Sequence, residues 1–256
     1  IGGLAVSAER DLLAYAVDTQ GRRVYTTYFK NLTTKEMLPD VISEVSENLT
    51  WANDNRTLFY AKQDPTTLRA FQIYRHVLGS DPAEDRLVFE ETDETFAAYV
   101  FKTKSKRFLM LVSSQTMSQE YRYLDADNPT GEFKMFLPRQ REHEYHIDHF
   151  QDRFIIRTND QAKNFRLMWT PVEKPGKENW REIIPHRQDV YLGDFELFKN
   201  HLVLEERARG LTQIRVMAWT GDGDHYLQFD EPAYRSNVNI NLDFDTTILR
   251  FDYTSM

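Results

Sequence analysis

The sequence predicts an all-β fold, a β-propeller of about five to six four-stranded blades, on three observations. A polar turn followed by a dense apolar run recurs along the chain, beginning at Asp11, Arg56, Lys106, Asp152, Asn200 and Thr247. The starts are 45, 50, 46, 48 and 47 residues apart, within the roughly 40–50 residues of a propeller blade. Over the 256 residues, that period leaves about 5.4 units. Flanking each run are short strand patterns separated by turn residues. Finally, helical periodicity is nearly absent, and residues 37–46 are expected to hold a turn at most.

Each unit resolves into strands in order. The first strands are expected at residues 4–6, 48–51, 98–101, 145–147, 195–198 and 238–242, each ending in the polar turn. The second is the apolar run itself, such as Arg56-Thr-Leu-Phe-Tyr-Ala61 or Lys106-Arg-Phe-Leu-Met-Leu-Val112. Consecutive apolar positions are what a strand shows when both faces of its sheet are buried, as in a blade sandwiched between neighbours. The third strand alternates, as in Val24-Tyr-Thr-Thr-Tyr28 and Gln213-Ile-Arg-Val216. Loops rich in Gly, Pro, Asn and Asp follow, for example Leu78-Gly-Ser-Asp-Pro82 and Gly221-Asp-Gly223, because Gly and Asn accept the positive φ of tight turns. Short fourth strands are expected at residues 86–89, 133–136, 180–184 and 225–229. A β-solenoid would repeat at shorter intervals, and an immunoglobulin-like sandwich would not repeat at this length.

Composition removes several function classes. Hydrophobic residues make up 41% of the chain, too many for intrinsic disorder. No run approaches the roughly 18 apolar residues of a membrane span, so no membrane partner is expected. There is no Cys, which excludes disulfides, thiolate metal sites and a thiol nucleophile. Lys and Arg number 32 against 40 Asp and Glu, a formal net charge of −8; this argues against nucleic acid, whose binders draw affinity from cationic side chains on phosphates, and suits a neutral or basic partner. The chain opens at Ile1 and stops at Met256, and with a non-integer number of blades it reads as a piece of a longer protein.

The densest chemical cluster is Arg141-Glu-His-Glu-Tyr-His-Ile-Asp-His149. On a strand, successive side chains alternate faces, so His146 is expected to point away from His143 and His149. The latter two stand about 20 Å apart at the usual rise, and no chelating pair forms; no metal or other cofactor is expected. Asp125-Ala-Asp127-Asn-Pro-Thr-Gly131-Glu132 echoes a calcium loop, but Pro129 interrupts the ligand run, and a hairpin loop is the better reading. No Gly-x-Ser-x-Gly elbow and no glycine-rich phosphate cradle occurs,. Seven acids crowd residues 81–96 (Asp81, Glu84, Asp85, Glu90, Glu91, Asp93 and Glu94) against Arg86 alone. They form either a solvated loop with its outer strand or a negative surface that steers cationic peptides. Glu205-Glu-Arg-Ala-Arg-Gly-Leu211 lies where the second strand passes into the third. Its Glu206, Arg207 and Arg209, with His143, His146 and His149, are the candidate channel or domain-interface residues.

Several segments are familiar as a set: Trp51-Ala-Asn-Asp, Phe71-Gln-Ile-Tyr-Arg-His76 followed by Gly79, and Glu90-Glu-Thr-Asp-Glu-Thr95. Leu137-Pro-Arg, His143-Glu-Tyr-x-x-Asp-His149, Lys163-Asn-Phe165, Glu205-Glu-Arg-x-Arg-Gly-Leu211 and Tyr253-Thr-Ser-Met256 extend it along the whole chain. Together they resemble the oligopeptidase B group of the prolyl oligopeptidase family of serine peptidases. The resemblance implies a seven-bladed propeller capping an α/β-hydrolase domain of the same polypeptide. That domain carries the Ser, His and Asp of the triad and, in the main, the acids that read a basic side chain. Residues 1–256 would then be a partial propeller, with the catalytic domain absent from this chain, no catalytic residue of its own, and inactive alone. The implied whole is a cytoplasmic peptidase cleaving short basic peptides after Arg or Lys, whose propeller admits small peptides and spares folded proteins. Uncovered blade faces would make the isolated piece prone to self-association. The competing reading is a stand-alone propeller serving as a protein-interaction platform, and the flanking coding sequence discriminates the two.

Overall fold

A computed structural model describes residues 1–255 of the chain. Its packing divides into two compact units, Ile1–Glu142 and the residues from His143 onward.

In the first unit, β1 (Gly3–Val6), β2 (Leu12–Val17), β3 (Tyr25–Asn31), β4 (Met37–Trp51), β5 (Thr57–Gln63), β6 (Ala70–Val77) and β7 (Arg86–Glu90) hydrogen-bond in that order as one antiparallel sheet. It holds two of the repeats, because β4 belongs to both: Met37 to Val45 pair with β3, and Val45 to Trp51 pair with β5. The turn expected over residues 37–46 is therefore an extended strand. Its inward residues Leu38, Asp40 and Ile42 follow period two, and polar Asp40 disguised that pattern. Pro39 falls where the register with β3 shifts between Tyr28 and Lys30, a place where a ladder tolerates a missing N–H. The next sheet is a full blade of β8 (Ala97–Lys102), β9 (Phe108–Gln115), β10 (Ser118–Asp125) and β11 (Lys134–Leu137). The calcium-like residues 125–132 make its β10–β11 connection.

The second unit contains two four-stranded sheets and a hairpin. One sheet is β12 (Tyr145–Phe150), β13 (Arg153–Thr158), β14 (Arg166–Pro171) and β15 (Arg181–Ile184). The other is β16 (Val190–Leu197), β17 (His201–Ala208), β18 (Leu211–Ala218) and β19 (His225–Tyr226). The hairpin pairs β20 (Tyr234–Val238) with β21 (Phe251–Ser255). The strands expected at 238–242 and 247–251 are thus displaced outward, meeting only where Val238 pairs with Phe251. Ile240, Leu242 and Ile248 are exposed while Leu249 packs beside Phe198, Val203 and Ile214, so little of this apolar run reaches the core and the segment loops out instead of pairing as a strand. Asn241 closes the loop, its side chain accepting from the Arg250 N–H at 2.8 Å and donating to the Arg250 carbonyl at 3.0 Å.

The second strands behave as their apolar runs demand. In β5 the first five residues are buried in succession, and in β9 the first six. The core of the first unit gathers Phe59, Ala61, Val100, Leu109 and Leu111 from adjacent sheets, and that of the second gathers Phe150, Ile155, Leu167, Leu197 and Leu204. By contrast β2 alternates between buried and half-buried residues: Leu12, Ala14 and Ala16 face the core while Leu4 and Val6, on the paired strand, are exposed.

Candidate functional site

The histidine cluster lies on and just before β12. Tyr145, Ile147 and His149 are buried on one face, and His146 is half-buried on the other, so the expected alternation holds. His143 is buried, its Nε2 2.9 Å from Thr158 Oγ1 and its ring stacked on Tyr145 at 4.9 Å. Burial, reinforced by the nearby Lys177 charge, pushes its pKa below the ordinary value. His146 packs against Phe195 at 5.6 Å, and burial likewise depresses it. His149 is buried edge-on against Phe154. Each ring therefore serves a different packing site, and the three do not converge.

Glu206, Arg207 and Arg209 separate equally sharply. β17 and β18 turn over through Arg209 and Gly210, both at positive φ, 52° and 82°, the signature of a type I′ hairpin. That turn leaves Arg207 and Arg209 exposed. Glu206, immediately before Arg207 on the strand, is 2% exposed. It accepts from Tyr226 Oη at 2.6 Å, is hydrogen-bonded by Arg187 Nη2, and lies 3.6 Å from Arg215 Nη1. Arg215 is held in turn by Asp224 at 2.7 Å. Burial and the Glu206 carboxylate both raise the Tyr226 pKa. This is a closed polar network, with two carboxylates offsetting two guanidinium groups.

Two further networks went unforeseen. His76 in β6 is fully buried between carboxylates, Nδ1 2.8 Å from Asp85 and Nε2 3.1 Å from Asp40. Asp85 also accepts from Tyr60 Oη at 2.9 Å, and Asp40 from the Gly79 N–H at 2.6 Å. Burial opposes the imidazolium, but Asp85 and then Asp40 outweigh it, and the His76 pKa is raised. Glu91 is 3% exposed and meets Arg139 in a two-pronged pair at 2.8 and 3.2 Å, with Ser113 donating to the same carboxylate. Arg139 is also stacked on Phe96 at 4.1 Å. Two of the seven acids between residues 81 and 96 are thus internal fasteners. The one local signal was His76 near Asp85 in sequence; Asp40 and Arg139 reach their partners from distant segments.

This frame of four-stranded antiparallel units matches known proteins along its whole length. The family model described as the prolyl oligopeptidase N-terminal beta-propeller domain matches residues 1–256. The chain belongs to the prolyl oligopeptidase family. Among relatives of this family, dipeptidyl aminopeptidase BI of Pseudoxanthomonas mexicana is 41% identical over 100% of this chain and 35% of its own length. Protease 2 of Moraxella lacunata is 31% identical over 98% of this chain and 36% of its length. Oligopeptidase B from Leishmania major superposes with a TM-score of 0.88 at 26% identity, covering 98% of this chain and 37% of that one. The Trypanosoma brucei oligopeptidase B, in its closed form with covalently bound antipain, gives the same TM-score and identity. The chain therefore spans about a third of the length of these relatives. It is a propeller domain of a serine peptidase family, which agrees with the repeat period and with the resemblance of its motifs. Among the described residues no helix is long and apolar enough to cross a membrane.

Proposed function

We propose that this chain is the substrate-gating propeller of a serine oligopeptidase that hydrolyses short peptides after Arg or Lys. Hydrolysis belongs to an α/β-hydrolase domain of the same polypeptide, and residues 1–256 form a partial propeller without catalytic residues. The observation that carries this reading is the match of a propeller-domain family to the entire chain, together with relatives about three times as long. A charge of −8 supports a basic peptide as substrate, since an acidic surface draws cations by long-range steering. The remaining acids of residues 81–96, after Asp85 and Glu91 are committed internally, are free to supply that field. Of the six residues singled out, exposed Arg207 and Arg209 are placed to meet a peptide or the hydrolase domain, while buried His143, His149 and Glu206 hold the scaffold that presents them. We assign the whole protein to the cytoplasm on its likeness in motif to oligopeptidase B.

The test is a kinetic comparison on chromogenic amides of Arg, Lys, Ala and Pro. The full-length polypeptide should favour Arg and Lys in kcat/KM by at least a hundredfold, and the 256-residue chain should turn over none of them. Turnover by the chain alone would refute the division of labour, and equal rates on Ala and Arg would refute the specificity.

A further inference from the structure

Arg157, on β13, is a half-buried guanidinium that forms no ion pair among the described residues. Its Nε donates to the Leu192 carbonyl at 2.8 Å and its Nη2 to Tyr191 Oη at 3.2 Å. Both acceptors are neutral. Asp194 and Glu144 act on it only at longer range, and burial lowers its pKa in spite of them. A buried charge without a close counter-charge is costly, so something local must offset it. Aromatic faces do so: the guanidinium carbon lies 3.5 Å from the Phe165 ring centroid and 5.7 Å from that of Tyr191, in the range of cation–π attraction.

Phe165 reaches that position from a backbone φ of 63°, a conformation bulky side chains rarely adopt and one that costs on the order of 1–3 kcal/mol. Such strain persists only where the surroundings enforce it. Here the Asn164 side chain donates to the carbonyls of Arg187 and Gln188, and the Asn164 carbonyl accepts from the Leu192 N–H. Arg207, the cross-strand partner of Tyr191 in the β16–β17 ladder, also sets its guanidinium 5.1 Å from that ring. Arg207 is exposed, and Arg209 follows it in the hairpin turn. Tyr191 thus contacts two guanidinium groups, one anchored and one open to solvent, and neither makes an ion pair with a carboxylate among the described residues.

We propose that Arg157, Tyr191 and Arg207 form a carboxylate-binding site that takes the free C-terminus of a short peptide. The proposal rests on the peptide-gating role above and adds a determinant to it. The ligand must be small and dipolar. The acidic surface repels an anion as a whole, whereas a peptide with a cationic body and one terminal carboxylate suits both the field and the arginine pair. Arg207 meets the carboxylate by a charge-assisted contact, geometry in which Arg exceeds Lys. Tyr191 and Phe165 hold Arg157 in place behind it.

The probe is glycyl-glycine, whose free ammonium supplies the cationic end, with a free or an amidated C-terminus, titrated into the full-length polypeptide by calorimetry, with acetate as a third ligand. Neither peptide carries a basic residue for cleavage. The free acid should bind at least tenfold tighter than the amide and tighter than acetate. Arg207→Met should abolish that preference, and Arg157→Lys, which keeps the charge but not the fork, should reduce it severalfold. Equal affinity for acid and amide, or a preference untouched by Arg207→Met, overturns the site. Acetate binding as well as the peptide acid overturns its assignment to peptide termini. Cleavage of chromogenic Arg amides is a separate readout: its failure strikes the peptidase reading, while loss of acid preference strikes this site.

Discussion

Two buried histidines, one in each unit, are hydrogen-bonded to side chains of other segments, yet their surroundings drive them in opposite directions. His76 has a carboxylate on each ring nitrogen and its pKa is raised. His143 has a threonine hydroxyl and an aromatic stack, and its pKa is lowered. Burial acts on both in the same sense. What differs is the charge of the partner: carboxylates stabilise the imidazolium, whereas a hydroxyl serves the neutral ring equally well. The first unit therefore carries a charged fastener within its seven-stranded sheet, and the second a neutral one just before a four-stranded sheet.

The largest effect should come from cutting the charged fastener. Asp85 holds both His76 and Tyr60, so Asp85→Ala removes two buried hydrogen bonds and leaves Asp40 facing an imidazole with less reason to be charged. Breaking a buried pair by deleting one partner costs roughly 3–5 kcal/mol; because His76 escapes part of the penalty by losing its proton, a loss of about 3 kcal/mol is expected. Denaturant unfolding at pH 6 measures it. A loss below about 1 kcal/mol would mean that Asp40 alone carries the node.

The same contrast has a sign in pH. A raised pKa means that His76 contributes stability fully present below its unfolded value, about 6.5, and lost as pH rises through the folded value. His143 runs the other way: its contribution is present above about 6.5 and is lost as pH falls through its lowered folded value. Imidazole NMR titration of the folded protein should find His76 titrating above 6.5 and His143 below it. Replacing His76 with Gln should flatten the alkaline loss of unfolding free energy while leaving the acid side unchanged. If both imidazoles titrate together near 6.5, the comparison collapses.

Much of the fold was legible because a blade is a local pattern. The apolar runs of β5, β9, β13 and β17 mark the doubly buried second strands, and Arg209-Gly210 marks a tight hairpin. Where the pattern failed, a local rule gave way to packing. In β4, Asp40 occupies an inward position because His76 waits there for it, and no local pattern rewards a buried acid. At the far end, Ile248 and its apolar neighbours suggested a strand, but only Leu249 packs on the core, beside Val203 and Ile214, while Ile248 stays exposed. The site was less legible for a related reason. Glu206 and Arg207 are adjacent in sequence, but alternation sends one into a closed network and leaves the other beside Tyr191. Arg139 finds Glu91 across 48 residues, a pairing set by how strands assemble, with no mark in either neighbourhood. Composition identified the charged stretch 81–96; only three dimensions showed which acids were already spent.

The smallest effect sharpens the neutral half of the comparison. Thr158→Val deletes the hydroxyl that faces His143 Nε2 and accepts from the Asp160 N–H at 3.1 Å while keeping the branched shape, and losing two neutral hydrogen bonds costs about 2 kcal/mol. The pKa of His143 should stay below its ordinary value, because burial is its leading cause and survives the substitution. Thr158→Asp makes the complementary change, setting a carboxylate where His76 has one. If partner charge alone separates the two histidines, His143 in this variant should cross to the raised side of 6.5 in the same NMR titration, even though burying the new acid lowers stability. A His143 that stays depressed beside Asp would show that the second unit enforces neutrality by burial itself, and that the charged fastener of the first unit depends on having two carboxylates instead of one.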